Sequence, residues 1–137
     1  MPTMKEFTIH VEDRPGTLGK LCRTLADRGV NIVAFQAFPH GKDKSTVRLV
    51  TDNPTMTKTI LESEHTSHTE TQIAHAKLPH RPGSLARSAA RLGEANININ
   101  YAYSGMEPGT NMPVVIFGVA EVDRATKILD EVAAAAA

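Results

Sequence analysis

The sequence predicts an α+β protein composed of two similar modules, residues 1–69 and 70–137, each with an antiparallel sheet and two helices. The first observation behind this prediction is an internal repeat at an offset of 67 residues. The second is the alternation of apolar and polar residues before each copy of the repeated block. The third is a change to helical spacing directly after the Pro-Gly pair that opens each block. Between residues 14–32 and 81–99, seven of nineteen positions are identical, which favours duplication of one module.

The repeated block begins with Arg-Pro-Gly and ends with Asn-Ile. Its shared residues are Arg14, Pro15, Gly16, Leu18, Leu25, Asn31 and Ile32 in the first copy, and Arg81, Pro82, Gly83, Leu85, Leu92, Asn98 and Ile99 in the second. A Pro-Gly pair alone indicates only a turn. A whole block kept in register indicates instead that the two copies share one local structure.

The first strand and first helix of each copy follow from the hydrophobic period. Apolar residues alternate with polar ones before the Pro-Gly pair, as in a half-buried strand, and recur three or four residues apart after it, as in a helix. The strand positions are Phe7, Ile9 and Val11, alternating with Glu6, Thr8, His10 and Glu12, and Ala74, Ala76 and Leu78 in the second copy. The helix positions are Leu18, Leu21, Cys22, Leu25 and Ala26, and Leu85, Ala89 and Leu92.

The remaining elements are bounded by residues typical of helix ends. Gly29 and its repeat partner Asn96 are expected to end the first helices in the left-handed conformation. Asn53, followed by Pro54, and Asp123 are expected to begin the second helices. Second strands are predicted at residues 30–38 and 97–103, and third strands at residues 46–50 and 114–117.

This order of elements is the ferredoxin-like βαββαβ pattern, with both helices on one face of an antiparallel sheet. A closing strand of the first copy, near residues 65–71, runs almost directly into the first strand of the second copy, so the two could form one long bent strand. No fourth strand is recognisable in the second copy before the terminal alanines, and an open sheet edge favours pairing with another chain. We therefore expect the two modules to pack side by side and the chain to form a homodimer.

Composition narrows the class of protein further. Lys and Arg number 15, as do Asp and Glu, whereas nucleic-acid binders usually carry a basic excess. Cys22 is the single cysteine, so no internal disulfide can form, in keeping with a reducing compartment. No apolar run approaches the length of about 18 residues that spans a membrane, and the first residues lack a signal core. These features predict a cytoplasmic protein that binds neither nucleic acid nor membranes.

The candidate ligand sites are the two corners that lead from a first strand into a first helix. The first amides of a helix have no internal partner and lie at the positive end of its dipole, so such a corner can bind a carboxylate. Glycine lets a ligand approach the backbone, and an asparagine offers both a donor and an acceptor. Capping of the helices by Asp, Ser or Thr is the alternative explanation of the same pattern. The candidate residues are Asp13, Arg14, Pro15, Gly16, Thr17, Leu18, Asn31 and Ile32, with His80, Arg81, Pro82, Gly83, Ser84, Leu85, Asn98 and Ile99.

Residues 12–18 followed by residues 29–32 resemble the signature of ACT domains, in particular the serine-binding regulatory domain of phosphoglycerate dehydrogenase, and residues 79–99 resemble it also. The resemblance implies a free amino acid as ligand, regulation of an enzyme or transcription partner that the sequence does not identify, and no cofactor. The loop ligand residue of the family falls on Asp13 and His80, and the strand-start residue falls on Asn31 and Asn98. Serine-binding members often have Asn in the loop, so the two sites are expected to differ. Asp13 would favour an ammonium, whereas protonated His80 would favour a carboxylate.

Three other functions are weighed against this one. An RNA-binding module has the same strand and helix order, but it stacks bases on sheet aromatics, which are few and scattered here. A small ferredoxin-like enzyme would have to use Asp13, His80 and Arg14 or Arg81. His65 and His68 are too few to hold a metal without further ligands. The sequence therefore favours a binding protein that is not an enzyme and holds no metal.

Overall fold

The computed structural model describes residues 4–110 and 112–136. The described elements are β1 (Met4–Glu12), α1 (Thr17–Asp27), β2 (Ile32–Pro39), β3 (Lys44–Thr51), α2 (Pro54–Ser63), β4 (His68–Lys77), α3 (Ser84–Glu94), β5 (Tyr101–Met106), β6 (Pro113–Gly118) and α4 (Val122–Ala136). The chain divides into two compact units, an N-terminal unit of Lys5–Thr71 and a C-terminal unit of Gln72–Ala137 together with Met4. Residues 1–3, 111 and 137, which fall within the predicted module bounds, lie outside the described residues.

In the N-terminal unit, β3 lies between β1 and β2 and pairs antiparallel with both. The amide of His10 donates to the carbonyl of Ser67 at 3.1 Å, so the chain entering β4 runs beside β1. Leu25 of α1 and Ile60 and Leu61 of α2 pack on one face of this sheet, which shows that both helices cover the same side. The other buried members of this core are Phe7, Ile9, Val30, Val47 and Leu49.

The C-terminal unit has the same arrangement. β6 lies between β4 and β5 and pairs antiparallel with both. Leu92 of α3 and Leu129 of α4 pack against Phe117 of the sheet. In the part of the chain that the structure describes, α4 continues to Ala136 and no strand follows it. Each unit is thus an α+β layer pair with its strands in the order first, third, second.

Several predicted boundaries are confirmed. Gly29 and Asn96 adopt the left-handed conformation, with φ of 73° and 60°, directly after α1 and α3. Asn53 caps α2 by accepting a hydrogen bond from the Met56 amide at 3.1 Å, and Pro54 is the first helical residue. β4 is one continuous strand, as the short spacing between the two predicted strands suggested.

Other expectations were wrong. Glu6, predicted on the polar face of β1, is only 1% exposed, and Arg48 of β3 lies 3.9 Å from its carboxylate, where its charge offsets part of the cost of burial. β5 begins at Tyr101 instead of residue 97, since Ile97 is still bonded to the carbonyl of Leu92 in the turn that ends α3. In β4, Ile73 and His75 are buried as well as the two predicted alanines.

The predicted apolar stripe of the first helix is only partly buried. Leu25 is fully buried, while Leu18 is 36% exposed and Ala26 is exposed. Leu85, the repeat partner of Leu18, is 52% exposed. These two leucines belong to the first turns of α1 and α3, next to the corners predicted to bind ligand.

Candidate functional site

The two predicted corners have the same backbone conformation. Gly16 has φ 91° and ψ −17°, and Gly83 has φ 92° and ψ −14°. A side chain is strained at such positive φ values, which explains why glycine stands at this place in both copies. The repeat in the sequence therefore corresponds to a repeated turn geometry.

The first turns of α1 and α3 are open at their N-termini. No side chain caps either helix. The Thr17 amide donates to the Arg14 carbonyl at a long 3.3 Å, and among the described residues the amides of Leu18 and Gly19 have no acceptor. Helix capping by side chains therefore does not explain these corners. The amides at the positive end of the helix dipole are left for a ligand.

A cavity of about 230 Å³ lies at the N-terminal corner. Its lining includes Asp13, Arg14, Thr17, Leu18, Phe38 and Ser45. The Arg14 guanidinium forms an ion pair with Glu12 at 2.8 Å and is 71% exposed, so it remains accessible to a ligand. The corner thus offers a carboxylate, a guanidinium and free backbone amides at the mouth of one small cavity.

A wider cleft of about 410 Å³ adjoins this corner. It shares Glu12, Arg14 and Thr17 with the first cavity and adds the side chains of His10, Lys20, Lys44 and His65. Among the described residues of that lining Glu12 is the one acid, so the cleft is mainly cationic and would favour the carboxylate side of a ligand.

The C-terminal corner differs from the N-terminal one. His80, Arg81 and Gly83 are exposed, as predicted ligand residues should be, but Ser84 is only 5% exposed. Ser84 lines a cavity of about 210 Å³ whose other walls are largely apolar. The two corners share their backbone geometry and not their surroundings.

The structure does not bring the predicted asparagines to the corners of their own units. At one end of the N-terminal sheet, the Asp13 amide donates to the carbonyl of Asp43, just before β3 begins. Asn31 lies at the opposite end, where its amide donates to the Asp52 carboxylate at 2.9 Å after β3 ends. In a strand of eight residues the two ends are separated by roughly 25 Å.

The C-terminal unit repeats this separation. Leu78 pairs with Pro113 at the start of β6, whereas Asn100 pairs with Gly118 at its end. Asn98 precedes β5 by three residues and its side-chain amide donates to Asn100 at 2.9 Å. Neither asparagine therefore shares a cavity with the corner of its own copy.

Phe38 and Ser45 line the N-terminal cavity but are not among the ligand residues predicted from the sequence. The predicted topology could have revealed them, because the end of the second strand and the start of the third lie at the same sheet edge as the end of the first.

Cys22 lies on α1 and is half-buried. Burial raises the pKa of its thiol, as expected of a packing residue and not of a nucleophile.

Three further observations concern RNA binding, metal binding and membrane insertion. Of the aromatics, Phe7, Tyr103 and Phe117 are buried and Phe35 is 53% exposed, so few are available to stack on bases. The described residues contain no group of three or more His, Cys, Asp or Glu that could hold a metal ion. Among the helices that the structure describes, none has both the length and the apolarity to cross a bilayer.

Comparison with known proteins agrees with the fold. The family model of the ACT domain matches residues 6–63, which lie within the N-terminal unit. The ACT domain-containing protein ACR3 of Arabidopsis thaliana is 28% identical over 92 residues, which cover 66% of this chain and 20% of that protein. This chain therefore spans about a fifth of the length of that relative.

Two solved structures share the fold over nearly the whole chain. Protein BT0572 from Bacteroides thetaiotaomicron superimposes with a TM-score of 0.81 at 23% identity, covering 94% of this chain and 88% of that one. The regulatory subunit of aspartate kinase from Thermus thermophilus gives a TM-score of 0.63 at 15% identity, covering 95% and 91%. At these identities the likeness concerns the fold.

Proposed function

We propose that this chain is a small regulatory protein of two ACT modules, residues 1–69 and 70–137, which binds a free amino acid and catalyses no reaction. The family model on residues 6–63 and the repeated element and strand order support the two-module description. The regulatory subunit of aspartate kinase, which shares the fold, is a regulatory chain by its name.

The observation that carries the proposal is the open N-terminus of α1 beside a cavity with both charges. The ligand carboxylate accepts hydrogen bonds from the amides of Leu18 and Gly19 and pairs with Arg14. The ligand ammonium pairs with Asp13. An α-amino acid presents these two charges on adjacent atoms, and a cavity of about 230 Å³ holds a side chain of modest size.

Asn31 and Asn98 belong to this proposal only through a second molecule. Because each lies at the sheet end opposite to its own corner, it would complete a ligand site at the corner of a second molecule. A homodimer would supply that copy, and ligand binding would then stabilise the dimer. A ligand that binds the dimer better than the monomer shifts the equilibrium between them by its differential affinity. Through this shift, ligand binding would change the activity of a regulated enzyme or transcription partner. We place this activity in the cytoplasm, without nucleic acid, membrane, metal or cofactor.

The test is a thermal-shift screen of the purified chain against each proteinogenic amino acid. A ligand at a hundredfold excess over its Kd stabilises by about 2.7 kcal/mol, which corresponds to roughly 5–10 °C in Tm for a chain of this size. Asp13→Ala should abolish the shift and Asn31→Ala should reduce it.

Asp27→Ala is the matched control, because it removes an exposed carboxylate at the other end of the same helix. It should leave the shift unchanged. Absence of a shift with every amino acid, in a protein that melts cooperatively, would contradict the proposal, as would equal losses in Asp13→Ala and Asp27→Ala.

A further inference from the structure

The C-terminal unit contains a cavity of about 210 Å³ beside the first turns of α3. Leu78 and Pro79, which follow β4, form one wall, and Leu129 and Val132 of α4 form another. Ser84 and Arg87 of α3 are the polar groups that the argument uses. An apolar cavity with a few convergent polar groups is the usual form of a small-molecule site.

Ser84 supplies the strongest sign of a ligand. The residue is 5% exposed and lines the cavity, and its buried Oγ has no hydrogen-bond partner among the described residues. Buried hydroxyl groups in proteins are nearly always hydrogen-bonded, because an unpaired one loses its bonds to water without replacement. Ser84 is also the first residue of α3, whose N-terminus no side chain caps. The Ser84 hydroxyl and the open amides of α3 are therefore donors that lie close together and lack an acceptor.

The charges around the cavity select an anion. Arg87 lies one turn further along α3, and its guanidinium has no ion pair or hydrogen bond among the residues that the structure describes. The second cation, Lys77, is held by Glu107 at 3.1 Å. None of the described residues that line the cavity is acidic, so an ammonium group would find no counter-charge there.

The corresponding cavity of the N-terminal unit has different chemistry. It measures about 190 Å³ and is lined by Thr17, Lys20, Leu21 and Glu64. The repeat places Leu21 at the position of Ser88, a residue that is 1% exposed and lines the C-terminal cavity. The acidic Glu64 has no acidic counterpart in the C-terminal cavity. The repeat thus keeps a hydroxyl and a cation in both cavities, Thr17 and Lys20 against Ser84 and Arg87, while the walls around them have diverged.

We propose that this cavity is a second ligand site, which binds a small branched aliphatic carboxylate without an amino group. The carboxylate accepts hydrogen bonds from Ser84 Oγ and pairs with Arg87, and the aliphatic chain fills the space between Leu78 and Leu129. An apolar cavity of about 150 Å³ holds benzene, so about 210 Å³ accommodates an acid of roughly seven heavy atoms. The proposal is independent of the amino-acid site, whose charged residues lie in the N-terminal unit.

Isovalerate is the probe, with isovaleramide as its uncharged isostere and valine as the same skeleton carrying an ammonium. Calorimetric titration of the full chain should show saturable binding of isovalerate, and at least about tenfold weaker binding of the other two, the ratio that one charge-assisted contact supplies. Arg87→Gln and Ser84→Ala should each weaken the binding of isovalerate by about tenfold.

Ser88→Leu is the variant that fills the cavity, and the protein itself carries leucine at the equivalent Leu21. It should remove isovalerate binding while the protein still melts cooperatively. Asp13→Ala should leave isovalerate binding unchanged, which separates failure of this proposal from failure of the amino-acid site.

Ser84→Ala without ligand should melt at or above the Tm of the unmodified protein, because it removes an unpaired buried hydroxyl. Three results would overturn the proposal. These are a Ser84→Ala protein that melts well below the unmodified one, equal binding of isovalerate and isovaleramide, and no binding of isovalerate at about 10 mM, which would mean an affinity too weak to be specific.

Discussion

The left-handed turn at Gly16 gives the sharpest test of the corner geometry. Its φ of 91° is strained for any residue with a side chain, and a Cβ built at this position meets no atom within 4 Å. The whole cost of Gly16→Ala therefore comes from the backbone, about 1–2 kcal/mol. For a chain of this size the Tm should fall by roughly 2–8 °C.

Gly19→Ala is the matched control, three residues along in the same helix. A Cβ at Gly19 also meets nothing within 4 Å, and its φ is not positive. Alanine in a helix is favoured over glycine by about 0.5–1 kcal/mol, so this variant should melt a few degrees higher. Calorimetric scans of both variants without ligand measure the difference. If Gly16→Ala were as stable as Gly19→Ala, the turn could not have the left-handed conformation on which the open helix end depends.

Three further predictions concern the packing and the titrating groups. Gly118→Ala should lower the free energy of unfolding by about 1–3 kcal/mol in denaturant titrations, because the new Cβ would lie 2.3 Å from the Tyr101 ring. Adding Tyr101→Ala should recover part of this loss. An unchanged denaturation midpoint in Gly118→Ala would mean that the Tyr101 ring does not lie against Gly118. Burial, aided by the charge of Lys77, lowers the pKa of His75 below its ordinary 6.5, so the folded protein binds fewer protons than the unfolded chain and stability should fall as the pH drops below 6.5. His75→Gln should flatten that slope, and an equal slope in both proteins would show that His75 does not cause it. Since burial raises the pKa of the Cys22 thiol, iodoacetamide should alkylate it more slowly near pH 8 than it alkylates an unfolded control, and equal rates would contradict the burial.

The fold could be predicted because its signals are local. The alternation before each Pro-Gly pair, the helical spacing after it, and the left-handed residues Gly29 and Asn96 depend on a few neighbouring positions, and duplication presents each signal twice. The corners could be located for the same reason, since a strand leading into a helix through glycine defines where the open amides lie.

What the sequence did not reveal depends on contacts between distant residues. Glu6 is buried beside Arg48 of another strand, and alternation alone cannot reveal that partner. Phe38 and Ser45 reach the N-terminal cavity because strand order brings their ends to the same sheet edge. The repeated block places Asn31 with the corner, whereas strand direction puts it at the far end of the sheet, and only the three-dimensional arrangement reveals this.

The central claim is that the open amides at the start of α1 hold the carboxylate of an amino acid. The most direct measurement is a titration by ¹H–¹⁵N NMR with the amino acid that raises the Tm most, following the amides of Leu18 and Gly19. Both amide protons should shift downfield and saturate together, because each gains a charge-assisted hydrogen bond. Saturable shifts elsewhere in the protein, with these two amides unmoved, would contradict the claim.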